Sequence, residues 1–120
     1  MGAPVGNRHR SRHTAVVGLV HAYLDAQGIA ATANRRPARI SDALDDVRPD
    51  IDAEGLALTV TSRTEQRLSV DLDTALATAR LSGAGAGALV QWRATRDISE
   101  AYAVLTLADL AKLIRLARPS

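Results

Sequence analysis

The sequence predicts one α/β domain, a mixed β-sheet flanked by helices in the order α-β-β-β-α-β-β-α. Apolar residues recur at helical spacing near the start, the middle and the end of the chain. Between these stretches, apolar and polar residues alternate with the period of two that is typical of strands. The length of 120 residues suits a single domain with one modest core.

The first helix is predicted from about residue 12 to residue 27, with Gly28 at the position of a C-terminal cap. Its apolar residues lie at helical spacing: Val16, Leu19, Val20, Tyr23 and Leu24. Residues 1–11 contain Gly, Pro and Asn without periodicity, which predicts a flexible basic arm. The α/β domain is therefore predicted to span residues 12–120.

Four segments are predicted to form most of the sheet. "IAATANR" (29–35) is weakly strand-like, and the following residues up to Pro49 predict a loop or a sheet edge. "GLALTVTSR" (55–63) is the clearest strand, because Leu56, Leu58 and Val60 alternate with smaller or polar residues. A second helix is predicted from Val70 to Leu81, and "GAGAG" (83–87) predicts a flexible connection. "ALVQWR" (88–93) and "AYAVLTL" (101–107) predict the remaining strands.

The last helix is predicted to begin with a capping box formed by Thr106 and Asp109. Its apolar stripe comprises Leu107, Leu110, Ala111, Ile114 and Ala117. Leu113 and Leu116 fall beside that stripe, so the apolar face is wide enough to contact a partner. The sequence therefore predicts that Leu113 and Leu116 mediate a protein contact, in a homo-oligomer or a larger assembly.

Charge is distributed unevenly along the chain. Up to residue 40 only Asp25 is acidic, whereas six residues are arginine: Arg8, Arg10, Arg12, Arg35, Arg36 and Arg39. Arginine presents a planar fork of donors to phosphate, so we expect DNA as a partner, contacted by Arg8, Arg10, Arg12, Arg35, Arg36 and Arg93. An arginine- and alanine-rich composition is also expected from a GC-rich genome, and that alternative stays open.

Composition excludes several classes of protein. The chain has no cysteine, which excludes a disulfide scaffold and a cysteine-based zinc site. It shows neither an apolar run of signal-peptide type nor one long enough to span a membrane. We therefore expect an intracellular protein without a membrane partner.

Six segments in a fixed order carry a resemblance to a known family. These are "HTAVVGLVHAYLDAQG" (13–28), "VRPDID" (47–52) leading into "LTVTS" (58–62), "DLDTALATA" (71–79), "ALVQWR" and "AYAVLTLADLAKLI" (101–114). In this order and spacing the chain resembles the PD-(D/E)XK nuclease superfamily. It is most similar to the small Holliday-junction-resolvase-like proteins of actinobacteria and their phages. The resemblance implies a restriction-endonuclease-like fold and a location in the cytoplasm or the phage virion.

The resemblance also implies where a metal-dependent active site would stand. In that family an Asp and a Glu hold Mg²⁺, a lysine assists, and a Glu of the first helix completes the site. Asp50 matches the metal-binding Asp, with Asp52 as an unmatched neighbour. The other three positions fall at Val17, Thr59 and Thr61, none of which supplies the required carboxylate or amine. The resemblance therefore implies a degenerate nuclease without a cofactor, with Mg²⁺ needed only for residual nuclease activity.

Three functions remain open from the sequence. The first is a catalytically degenerate, DNA-binding relative of the resolvases. The second is a structural or assembly protein of a phage particle. The third is an active Mg²⁺-dependent resolvase with a rearranged metal site on Asp50 and Asp52, to which Glu54 could contribute.

Overall fold

The computed structural model describes residues 5–34, 48–62 and 67–117, with the backbone alone described for residues 5–10. In chain order, these residues form α1 (Val5–Ala26), β1 (Ala31–Ala33), β2 (Ile51–Ala53), β3 (Leu56–Thr61), α2 (Leu68–Leu81), β4 (Ala86–Gln91), a 3₁₀ helix (Ile98–Glu100), β5 (Tyr102–Val104) and α3 (Leu107–Ala117). The predicted single α/β domain is confirmed.

The strands form one mixed sheet in the spatial order β1-β2-β3-β4-β5. β3 and β4 are parallel, and the other three pairs are antiparallel. β2 and β3 are joined by a two-residue turn in which Glu54 and Gly55 have φ angles of 50° and 91°. Two consecutive positive φ angles are typical of tight hairpin turns, and glycine adopts them without strain.

One face of the sheet packs against α1 and forms the main core. Val16, Val17 and Val20 of α1 are buried against Leu58 and Val60 of β3. Neighbouring strands add Ile51, Ala53, Ala88 and Val90 to the same cluster. The alternation predicted for residues 56–60 is confirmed, since Leu58 and Val60 belong to this core.

The opposite face of the sheet packs closely against α2. Ala75 and Ala79 are the buried residues of this helix. A Cβ atom added to Gly87 would lie 2.7 Å from the Cβ of Ala79, so only glycine fits there. The prediction of a flexible connection over 83–87 is wrong for its last two residues, which belong to β4 and pair with Leu56 and Ala57 of β3.

α1 begins earlier in the chain than its apolar spacing indicates. Its backbone is helical from Val5, so residues 5–11 of the predicted basic arm continue the helix. Gly28 has a φ of 78° and its N–H donates to the carbonyl of Asp25, which confirms the predicted helix end. The arginines of the arm are thus placed on a helix that continues into the core.

α3 lies along the edge of the sheet, beyond the end of β5. The Asp109 N–H donates to the Thr106 hydroxyl over 3.1 Å, which confirms Thr106 as a cap. The Asp109 carboxylate accepts the N–H of Gly87 over 3.2 Å, and Lys112 Nζ donates to the carbonyl of Gly85 over 3.4 Å. Since β5 does not extend to these two glycines, α3 supplies the hydrogen bonds that the edge of β4 would otherwise lack.

Candidate functional site

Several sequence-predicted site residues meet at one end of the sheet. β3 and β4 are parallel, so their carboxyl ends lie side by side. β2 is antiparallel to β3 and starts at this end, directly after Asp50, and β5 starts there with Tyr102 paired to Gln91. We call this region the Asp50 end of the sheet. Ligands of open α/β sheets commonly bind at the carboxyl ends of the strands, so this is the candidate site.

Asp50 is buried, and both of its carboxylate oxygens have partners inside the protein. Its exposed fraction is 5%. Oδ2 accepts the backbone N–H of Val60 over 2.8 Å, and Oδ1 lies 3.3 Å from Nε2 of His13. The tautomer with the proton on Nε2 donates this second hydrogen bond. Asp50 therefore joins α1 to β3 at the point where the resemblance places a metal ligand.

The second acidic residue of the motif has a different environment. Asp52 is exposed, and its Oδ2 accepts a hydrogen bond of 2.7 Å from Asn34 Nδ2. The same amide nitrogen also contacts the carbonyl of Pro49 over 3.0 Å. Glu54 lies beyond the far end of β2, in the turn. These contacts do not bring Asp50, Asp52 and Glu54 around one point.

The resemblance implies that catalytic groups are lost at Val17, Thr59 and Thr61. These three residues do not meet on one face of the sheet. Val17 is buried in the main core with Leu58 and Val60. Thr59 and Thr61 alternate with those two strand residues and therefore project from the opposite face. Thr59 is half-buried and Thr61 is buried. The N–H of Val60, which stands between these two threonines on β3, contacts Asp50.

The described residues do not fit a Mg²⁺ site of the nuclease type. Mg²⁺ prefers carboxylate oxygens and water in octahedral geometry. Asp50 is buried with protein partners on both oxygens, and the other matched positions, Val17, Thr59 and Thr61, supply no second carboxylate. Within residues 11–34, 48–62 and 67–117, no group of three or more His, Cys, Asp or Glu side chains could hold a metal ion.

The predicted DNA-contacting arginines are only partly placed. Arg8 and Arg10 belong to the first turns of α1, and Arg12 is half-buried one residue before His13. Because His13 contacts Asp50, this helix start lies at the Asp50 end of the sheet. Arg35 and Arg36 lie outside the described residues.

Arg93 follows β4 at the same end of the sheet and makes contacts within the chain. Its guanidinium carbon lies 4.4 Å from the centroid of the Tyr102 ring, a cation–π geometry. Nη1 also donates to the carbonyl of Glu100 over 3.4 Å. Tyr102 itself keeps an exposed fraction of 48%. The pair therefore forms a cationic, aromatic surface at the rim of the candidate site.

The turn that leads into β5 is held by its own polar side chains. Arg96 and Glu100 form an exposed ion pair of 3.4 Å. The Asp97 carboxylate accepts hydrogen bonds from the hydroxyl and the N–H of Ser99. The hydroxyl hydrogen bond, followed by that of the N–H, holds the pKa of Asp97 below its ordinary value. These contacts fix the turn that carries the Arg93 surface.

His13 is the functional-site residue whose role sequence reasoning missed. It stands one helical turn before Val17, so both side chains lie on the face of α1 that meets the sheet. That spacing was a usable signal for a contact with the Asp50 segment. Trp92, at the end of β4, packs partly buried against the main core.

Comparisons of the chain with protein-family models, with curated proteins and with solved structures gave no match. Among the helices of the described residues, none has the length and hydropathy needed to cross a membrane.

Proposed function

We propose that this protein is a catalytically inactive, restriction-endonuclease-like protein that acts by binding DNA. The observation that carries the proposal is the enclosure of Asp50. A metal-binding carboxylate must face the ion, whereas Asp50 is only 5% exposed and its two oxygens face Val60 N–H and His13. The residue that would begin the chemistry instead supports the fold.

The distribution of basic residues supports the DNA-binding part of the proposal. Arg8, Arg10 and Arg12 belong to the first turns of α1, which lead to the Asp50 end of the sheet. No acidic residue precedes Asp25 in the sequence. Arg93 and Tyr102 add a cation and an exposed ring at the same end. Arginines bind phosphates, and an exposed ring can stack on an unpaired base. This end of the sheet thus combines the groups that bind a branched or partly unpaired DNA.

A titration of fluorescently labelled four-way-junction and duplex DNA tests the proposal. Each phosphate contact releases counterions, so the logarithm of the binding constant is expected to fall linearly with the logarithm of the salt concentration. Fluorescence anisotropy measures that slope. An absence of salt-dependent binding to both DNAs contradicts the proposal.

A structural role in a phage particle is the second candidate function. The observation that favours it is an exposed apolar side of α3, on which Leu107, Leu110 and Ile114 are 80%, 42% and 53% exposed. Such side chains are commonly buried by a protein partner. Recovery of the chain from purified particles supports this role, and its absence from them contradicts it.

A further inference from the structure

α3 covers the part of the β4 edge that β5 does not reach. β5 pairs with residues 89–91 of β4. Before these residues, the Gly87 N–H donates to the Asp109 carboxylate over 3.2 Å, and the Gly85 carbonyl accepts from Lys112 Nζ over 3.4 Å. Two side chains of α3 thus replace the acceptor and the donor that a neighbouring strand would supply at this edge.

The attachment of α3 to the sheet buries little surface. Within the described part of the chain, α3 buries none of its residues, and only Asp109, Ala111 and Leu113 are half-buried. By comparison, α2 buries Ala75 and Ala79. Burial of apolar surface is the main favourable contribution to packing a helix on a sheet. The large apolar side chains of α3 contribute little of it, since four of them are exposed: Leu107, Leu110, Ile114 and Leu116.

The polar contacts of α3 add only a weak attachment. The Lys112 side chain is 53% exposed and lies 3.6 Å from the Asp109 carboxylate. Exposed ion pairs of this kind contribute little to stability. A helix of 11 residues is also too short to be stable in water by itself. α3 is therefore expected to lose its helical structure when it leaves the sheet.

The boundary between α3 and the rest of the domain lies at Leu105 and Thr106. Leu105 packs partly buried against the main core. β5 ends at Val104, which is paired with Leu89 of β4. The Thr106 hydroxyl caps α3 by accepting the Asp109 N–H. The residues before Thr106 thus have contacts of their own with the domain, and α3 can separate without breaking them.

We propose that α3 is a strap that opens from the edge of β4 while the sheet, α1 and α2 stay folded. Opening removes the Asp109 carboxylate from the Gly87 N–H and exposes a backbone edge that can pair with another strand. The strap therefore controls access to this edge. Segments with few buried contacts open at a lower free energy than the core does. The inference does not depend on DNA binding.

Hydrogen exchange of single amides, measured by NMR on the full chain, tests the strap. The amides of α3 and of Gly87 report its opening. The Val60 amide, which donates to the buried Asp50, reports unfolding of the core. After correction for intrinsic rates, we expect α3 and Gly87 to exchange at least about tenfold faster than Val60. Low concentrations of urea are expected to accelerate Val60 more steeply, because global unfolding exposes more surface.

Two outcomes of this measurement on the wild type overturn the proposal. Equal protection of α3, Gly87 and Val60 would show that α3 leaves the sheet only when the whole domain unfolds. A Gly87 amide as protected as that of Val60, beside a freely exchanging α3, would show that the helix does not cover this edge.

Substitutions separate the opening of the strap from global unfolding. Val20→Ala removes buried methyl groups from α1 and lowers the free energy of global unfolding, but it leaves the contacts of α3 intact. It is expected to accelerate exchange at Val60 and to leave α3 and Gly87 unchanged. Asp109→Ala removes a contact that both kinds of opening break, so it is expected to accelerate exchange at all three places. Acceleration of α3 and Gly87 by Val20→Ala as large as that of Val60 contradicts a separate opening.

Asp73→Ala is the matched control for Asp109→Ala. It removes the same residue type from an exposed position of α2. Exchange at α3 and Gly87 is expected to stay at the wild-type rate. An equal acceleration of these amides by both aspartate substitutions would contradict the role of Asp109 in holding the strap.

Discussion

His13 and Asp50, 37 residues apart in the chain, join the first helix to the sheet through a contact of 3.3 Å between Nε2 and Oδ1. The other carboxylate oxygen holds the N–H of Val60. A buried carboxylate with two internal partners stabilises the fold, because both partners lose a hydrogen bond without it. This arrangement leads to predictions about stability, metal binding and DNA binding.

Asp50→Ala is expected to destabilise the protein by about 2–3 kcal/mol, since it leaves the buried Val60 N–H without an acceptor. Asp50→Asn retains one carbonyl oxygen for that N–H and is expected to cost roughly half as much. Urea unfolding followed by circular dichroism measures both free energies. Equal stabilities of the wild type and Asp50→Ala would show that Asp50 does not support the fold.

The effects of substituting His13 and Asp50 on the free energy of unfolding are expected to be non-additive. In a double-mutant cycle of His13→Ala and Asp50→Ala, residues in direct contact give an interaction free energy of about 0.5–3 kcal/mol. His21→Ala serves as the control partner, because His21 contacts the carbonyl of Ala31 instead. A coupling no larger with His13 than with His21 contradicts the contact.

Gly87→Ala is expected to destabilise the protein by about 1–3 kcal/mol through overpacking, because the new methyl group would lie 2.7 Å from the Cβ of Ala79. Gly85→Ala is the matched control, since its added atom meets only the Gly55 carbonyl, at 3.7 Å. Thermal unfolding compares the two. Removal of the opposing methyl group by Ala79→Gly should recover part of the loss, and no recovery would contradict the assigned contact.

Mg²⁺ is expected to leave the melting temperature unchanged. A ligand that binds the native state raises it by mass action, but the oxygens of Asp50 are engaged with His13 and Val60. Differential scanning fluorimetry in millimolar MgCl₂, with an equal ionic strength of NaCl as control, measures the effect. An increase of several degrees that Asp50→Asn abolishes would indicate a metal site on this carboxylate.

Arg8→Ala and Arg10→Ala are each expected to weaken DNA binding and to reduce the salt slope by about one unit, as the loss of one phosphate contact does. Arg80→Ala removes the same charge from the last turn of α2, at the other end of the sheet. It is expected to leave the slope nearly unchanged. Equal effects of the three substitutions would indicate that binding depends on net charge rather than on α1.

The sequence predicted the helices and the sheet because their signals are local. Apolar spacing located α1, α2 and α3, and the alternation of Leu56, Leu58 and Val60 located β3. The strand character of Gly87 was missed, since it depends on pairing with Ala57 of β3, and its glycine is required by the approach of α2 rather than by a turn. The helical backbone of residues 5–11 was also missed, because those residues have no apolar period.

The candidate site was predicted less completely than the fold. The resemblance identified Asp50 as a special position, and the alternation of β3 placed Thr59 and Thr61 together on one face. It could not show that Asp50 contacts the N–H of Val60 and the side chain of His13. That orientation depends on a contact between distant parts of the chain, which no local pattern contains.

The proposal of DNA binding without catalysis is tested most directly by incubating an end-labelled four-way junction with saturating protein and MgCl₂. A native gel then shows the bound DNA, and a denaturing gel run in parallel shows any cleaved strand. A DNA-binding protein without catalysis is expected to shift the junction while every strand stays intact. Strand cleavage in Mg²⁺ that is lost in Asp50→Asn would contradict the account.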